Sequence, residues 1–170
     1  MNKIIIIIIG LFCAIFADTK IGWIELETVV TQLDDFRQAQ TELDAQGRQW
    51  QTEIQNKQTQ LDSMYQAYQK NQILMTEERR QQAEIEITQF QQSIQTFYMQ
   101  KLGPEGELLR LESQKMQPII QKVYAAVDKV AFQEGYDYVL DSSQAGLIYK
   151  KEESNLNALV LQQLKEASAK

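Results

Sequence analysis

A seven-residue rhythm of apolar side chains runs from Thr28 to Phe132 with a single interior break, and a repeat of that length reads as two long antiparallel helices rather than a compact domain. In the first arm Val29, Leu33, Phe36, Leu43, Trp50, Ile54, Leu61, Met64 and Tyr68 step by three, four or seven. That spacing keeps one narrow seam toward a partner helix. Gln40, Gly47 and Lys57 fill three further slots and weaken the seam, a mid-helix glycine alone costing about 1 kcal/mol against alanine. In the second arm Ala83, Ile87, Phe90, Ile94 and Phe97 repeat the step without a fault. Between the arms Asn71 to Glu78 is the expected tip: Thr76 caps the second helix, and Glu77 and Glu78 sit at its positive end. A first arm from Thr28 to Leu74 would reach roughly 70 Å at the helical rise.

The rhythm stops at Leu102-Gly103-Pro104-Glu105-Gly106, where proline lacks an amide hydrogen and clashes with the preceding turn. Pro104 is expected as the first residue of a restarted helix. Gly103, Pro104 and Gly106 form either a joint about which the arm swings or a fixed kink that aims it. The restarted helix carries Leu108, Leu109, Met116, Ile119, Ile120, Val123, Val127 and Val130, a stripe wide enough for burial on more than one side. Pro118 inside it is expected to bend it.

Both ends of the chain change character. Lys20 to Leu26 reads as a strand. Gly135 is a helix C-cap, Tyr136 to Asp141 a second strand, Ser142 to Gly146 a turn, Leu147 to Tyr149 a returning third strand, and Asn157 the cap of a last helix carrying Val160, Leu161 and Leu164. The fold class is therefore α+β, mostly α: a long antiparallel coiled-coil helical hairpin on a small β body. Residues 18–27 and 107–170 make the body and 28–106 the hairpin. Three short strands give a meagre core with open edges, which favours association with further copies. Ile21, Trp23, Tyr138, Leu140, Leu147 and Tyr149 are the candidate interface residues.

Residues 1–17 read as a secretory leader: Lys3, the apolar run from Ile4, and Ala17 before the polar Asp18. Its removal would take away Cys13, the only cysteine, and with it any disulfide. There is no histidine, so the commonest metal ligand and general base are missing. The net charge of −6 makes nucleic acid and anionic surfaces poor general partners. Gln49, Gln51, Gln55, Gln58 and Gln60 belong to the polar face of the first arm.

Lys20-Ile21-Gly22-Trp23-Ile24, Met116-Gln117-Pro118-Ile119, the run Val130 to Asp141, Gly146-Leu147-Ile148-Tyr149 and Leu156 to Leu164 together resemble the Skp/OmpH family of periplasmic chaperones. The resemblance spans essentially the whole chain after residue 17 and is most specific at the ends. It implies a homotrimer in which strands of three chains form a body and three hairpins hang from it around a cavity. It also implies binding of unfolded outer-membrane β-barrel proteins in the periplasm, without ATP, for later membrane insertion. Well-studied members are strongly basic, whereas this chain is acidic. Arg79 and Arg80 are the only adjacent basic pair on the arms, and the family's lipopolysaccharide contact is not carried onto them.

No nucleophile with its base and no phosphate loop is present, so the expectation is no enzyme and no cofactor. Asp137 and Asp141 share a strand face but stand about 13 Å apart, too far to act as a hydrolytic pair. A holder of unfolded chains needs weak apolar contacts spread over a flexible frame. The candidates are Tyr65, Tyr98 and Met99, off the hairpin seam, and Ile73, Leu74 and Met75 at the tip, methionine suiting promiscuous contact. Each is equally readable as hairpin packing. The alternative function is a structural coiled-coil spacer or secretion adaptor, which has no need of the terminal β segments.

Overall fold

The computed structural model describes residues 19–168, so the leader expected at 1–17 lies outside the described residues. The elements run β1 (Ile21–Ile24), α1 (Leu26–Val30), α2 (Asp34–Asn71), a 3-10 turn (Gln72–Leu74), α3 (Glu77–Leu102), α4 (Glu107–Glu134), β2 (Tyr138–Asp141), a second 3-10 turn (Glu152–Ser154) and α5 (Asn157–Ser168). The class is α+β and mostly α, with long helices and one two-stranded sheet. The chain divides into two compact units. One holds the described residues up to Thr31 together with those from Gln121 onward; the other is Gln32–Ile120.

In the first unit β1 and β2 pair in parallel, with Ile21 opposite Tyr138 and Ile24 opposite Asp141. Parallel pairing requires a long crossover between the strands, and α1 through α4 supply it. The core is Trp23, Ile24, Val29, Val30, Val123, Val127, Val130, Leu156, Val160 and Leu164. Gly135 ends α4 with φ 68°, and the Tyr136 amide donates to the Ala131 carbonyl at 2.9 Å, a Schellman closure that needs a left-handed residue at this place.

The third strand is absent: Leu147–Tyr149 is neither helix nor strand, and all three residues are exposed. The remaining side of β1 is taken instead by the segment before α5, through a bridge between Trp23 and Asn155 and a 2.9 Å bond from the Leu156 amide to the Trp23 carbonyl. Asn157 does not cap α5 with its side chain. Its Oδ1 accepts from the Glu25 amide at 2.9 Å, and its own amide donates to Asn155 Oδ1 at 3.0 Å.

The first arm starts later than its rhythm suggests. Val29 lies in α1 and is fully buried in the first unit. Thr31 closes α1 by turning its hydroxyl onto the Glu27 carbonyl. Leu33 is extended, and Asp34 and Asp35 open α2 at its positive end.

In the second unit α2 and α3 pack against each other. Buried Leu43, Trp50 and Ile54 of α2 and Ile87 and Ile94 of α3 follow the expected seam. Gln40 does not: it is exposed, with its amide on Asp44, and Ala39 is buried in its place. A straight helix of 3.6 residues per turn drifts from a seven-residue repeat, and the apolar neighbour takes the burial. The two other weak slots have partners. Gly47 faces a Leu108 methyl, a Cβ there lying 3.6 Å from it, and Lys57 Nζ stands 5.4 Å from the centre of the Phe97 ring.

The break is a turn, and Pro104 is its second residue rather than the start of α4. The Gly106 amide donates to the Gly103 carbonyl at 2.8 Å, so Pro104 and Gly106 hold the second and fourth places that such turns favour. Both glycines are buried. A Cβ on Gly103 would stand 2.4 Å from the Met99 carbonyl oxygen, and one on Gly106 would stand 2.9 Å from Gly103 backbone atoms. Lys101 reaches across the turn to Glu107, and its Nζ lies 5.1 Å from the Trp50 ring centre.

Candidate functional site

The tip is built by a 3-10 turn that follows the last residue of α2. It is a single turn of three residues followed by the extended Met75, and it carries Ile73 and Leu74 outward rather than back onto the hairpin. These two side chains are 89% and 86% exposed. Met75 is half-buried. Thr76 caps α3 by accepting from the Arg79 amide at 3.4 Å, and Arg80 bridges Glu77 at 3.1 Å, so the adjacent arginines are not two free cations. Just before the tip the Tyr68 hydroxyl donates to Glu84, and that bond pushes the phenol above its ordinary value.

On the arms, Tyr65, Tyr98 and Met99 are each about half exposed, at 40%, 48% and 51%. The Tyr65 hydroxyl reaches Gln91 Oε1 at 3.4 Å and thereby lies along α3. The structure thus brings Ile73, Leu74 and Met75 together at one turn and places Tyr65 against α3. Leu109, expected in the buried stripe of the restarted helix, is instead 49% exposed; Ile85 and Tyr124, which stood outside the candidates, are exposed to a similar degree, and Phe132 is 88% exposed. Ile85 could have been found, because it falls between the seam residues Ala83 and Ile87. Phe132 lies outside the apolar stripe of α4, one turn before the capping Gly135.

The candidate interface residues divide. Ile21, Tyr138, Leu147 and Tyr149 are exposed, and Leu140 is half-buried. Trp23 is 5% exposed and engaged within its own chain: its indole N–H donates to the Lys151 carbonyl at 2.8 Å, and Lys150 Nζ lies 3.7 Å from its ring centre. It has little surface left for a second copy. Asp137 and Asp141 have local duties. Asp137 accepts from the Lys20 amide at 2.8 Å, and Asp141 accepts from the Leu26 and Ser143 amides.

Two carboxylates are held below the ordinary glutamate value. Glu25 is lowered by its hydrogen bonds from Lys150 and Thr28, and Glu42 on α2 by those from Lys115 of α4 and from Gln38. Among the described residues no three metal-ligating side chains gather, and no helix is long and apolar enough to cross a membrane.

A family model described as OmpH, outer membrane protein (OmpH-like), matches residues 20–164. Among solved structures the fold is similar to a candidate outer membrane chaperone (OmpH-like) from Caulobacter crescentus CB15. The TM-score is 0.76 at 12% identity, over 89% of this chain and 86% of that one. At that identity the likeness concerns the fold. No curated protein matches the chain in sequence.

Proposed function

Because the chain belongs to the OmpH-like outer membrane protein family, we propose that it is an ATP-independent periplasmic holdase that binds unfolded outer-membrane β-barrel proteins and keeps them soluble for insertion. The observation that carries this reading is the tip: Ile73 and Leu74 stand almost wholly in water at the end of a helical hairpin, with Met75 beside them. Two large aliphatic side chains in that state gain nothing for the folded monomer and are available to an apolar stretch of another chain. Tyr65, Tyr98 and Met99 extend the contact along the arms. The same reasoning proposes a homotrimer through the first unit, where Ile21, Tyr138, Leu147 and Tyr149 are uncovered and, among the described residues, β2 pairs on one side only. Lipopolysaccharide binding is not part of the proposal, since Arg80 is paired with Glu77 and the chain is acidic.

A light-scattering assay of a denatured barrel protein diluted into buffer tests the reading. The mature chain should suppress aggregation without nucleotide, and Ile73→Ser with Leu74→Ser should lose most of that effect while keeping its helix content. Equal scattering with and without the chain, or suppression only with ATP, would sink it.

A further inference from the structure

From Ile87 to Gln100, roughly 21 Å of helix, α3 contains no charged residue. This is unusual in a chain of net charge −6, because the water-facing side of a helix is normally solvated by charges. The exposed positions of the stretch hold amides and hydroxyls, with Tyr98 and Met99 at one end. Among the described residues, the side-chain amides of Gln89, Gln92 and Gln95 make no hydrogen bond. Four other glutamines of the hairpin are tied to carboxylates: Gln38 to Glu42, Gln40 to Asp44, Gln81 to Glu77 and Gln82 to Glu86, each one turn away. Gln92 and Gln95 have no carboxylate three or four residues away on their own helix. On α2, Gln51, Gln55 and Gln58 repeat the feature at i, i+4 and i+7, one stripe of exposed amides that also lack a side-chain bond among the described residues.

Each such amide offers two donors and an acceptor and carries no charge. A face of this kind gives no cation to a phosphate and no carboxylate to a basic partner. Its complement is a neutral surface that presents donors and acceptors in alternation, and the unpaired backbone of an extended polypeptide is that surface. Ile85, Gln92 and Met99 step by seven along α3, so apolar side chains bracket the amides and can take the apolar residues of the same segment.

We propose that the uncharged face of α3 holds clients by their peptide backbone, through Gln89, Gln92 and Gln95. This deepens the chaperone reading and rests on it. Water competes for every one of these bonds, so each is weak, and several exchanging together retain a client without fixing it. Such a grip ignores client sequence and releases without nucleotide.

The test uses the full mature chain and two fluorescent peptides of alternating valine and threonine, one with ordinary amides and one with alternate amides replaced by esters, which removes N–H donors and keeps the side chains. The parent should bind the amide peptide about fivefold or more tightly than the ester peptide. Q89A/Q92A/Q95A, whose alanines favour the helix, should bind both alike. Q89M/Q92M/Q95M, which keeps side-chain length and removes the amide, should also lose the discrimination while binding both peptides more tightly. Discrimination that persists in both variants, or is absent from the parent, overturns the proposal. So does a change in the protein's own sedimentation in the variants, which would make the face a contact between copies. A parent that keeps a barrel protein soluble yet treats the two peptides equally sinks this inference alone; one that fails to keep it soluble sinks the chaperone reading.

Discussion

At Gly22 a Cβ would stand 2.8 Å from Leu156 Cδ1 and 3.0 Å from the Tyr136 ring, which makes the middle of β1 a place where a missing side chain lets a buried leucine in. Leu156 is among the fully buried side chains of the first unit. Leu156→Ala should therefore cost about 2–5 kcal/mol in urea denaturation, the spread reflecting how far the site can collapse. Gly135→Ala meets no atom within 4 Å, and its cost is conformational only: φ 68° in a residue with a Cβ, about 1–2 kcal/mol. Equal stability of that variant and the parent would show that α4 ends without needing the left-handed residue. The lowered carboxylates give a pH expectation. A glutamate whose folded pKa is depressed contributes stability that is full above its unfolded value, about 4.3, and is lost as pH falls through the lowered folded value. Glu42→Gln should thus reduce stability slightly at pH 7, and its difference from the parent should shrink as pH falls through the lowered folded value, where the parent's carboxylate loses its charge and with it the ionic hydrogen bond from Lys115.

Whole elements were legible where one periodicity governed them and lost where two competed. Ala83 to Phe97 repeats its step cleanly, and Ile87 and Ile94 are buried as the rhythm requires. At the lower end of α2 the repeat pointed to Gln40, and the helix turned Ala39 inward instead. The Thr31–Leu33 break went unread because Val29 and Leu33 keep step with the arm, although Asp34-Asp35 marked a helix start. Leu147 to Tyr149 has strand composition but pairs with neither strand, the segment at Asn155 having taken the second side of β1. The client candidates at the tip could be named because Ile73 and Leu74 lie beyond the last seam residue; Phe132 could not, since exposure on α4 depends on the distant segments that pack there. At the break, sequence showed the interruption but not its geometry. Because Gly103 and Gly106 admit no Cβ without backbone movement, Gly103→Ala must displace the last turn of α3 or open the turn. Spin labels at Gln46 and Glu112 should report a shifted distance in that variant. If Gly103, Pro104 and Gly106 form the joint we propose, alanine at all three should restore an unbroken helix and narrow the distance distribution relative to the parent. A parent distribution already as narrow as the variant's would identify a fixed kink.

At the scale of the whole molecule, what a single chain leaves unsatisfied directs the expectations. Ile21, Tyr138, Ile148 and Tyr149 are exposed on a unit of modest core, and burying them against further copies would stabilise it. Sedimentation equilibrium at micromolar concentration should give a trimer, and Tyr138→Asp with Tyr149→Asp should shift it toward monomer; a stable folded monomer in the parent would rule the assembly out. Client capture gives the remaining expectation. The charge of −6 is spread over the chain while the face of α3 from Ile87 to Gln100 is neutral and the tip is aliphatic, so the grip does not depend on attraction between opposite charges. Raising ionic strength from about 0.01 to 0.15 M shortens the screening length from about 30 to 8 Å, which weakens any interaction between exposed charges at such separations. Affinity for an unfolded barrel protein should change less than about twofold over that range, apolar contacts and amide bonds being nearly indifferent to it. A steep loss of affinity would place the capture on local cations such as Lys70 and Arg79. Substituting those two by glutamine would then remove the salt dependence, whereas the serine variant of Ile73 and Leu74 would leave it in place.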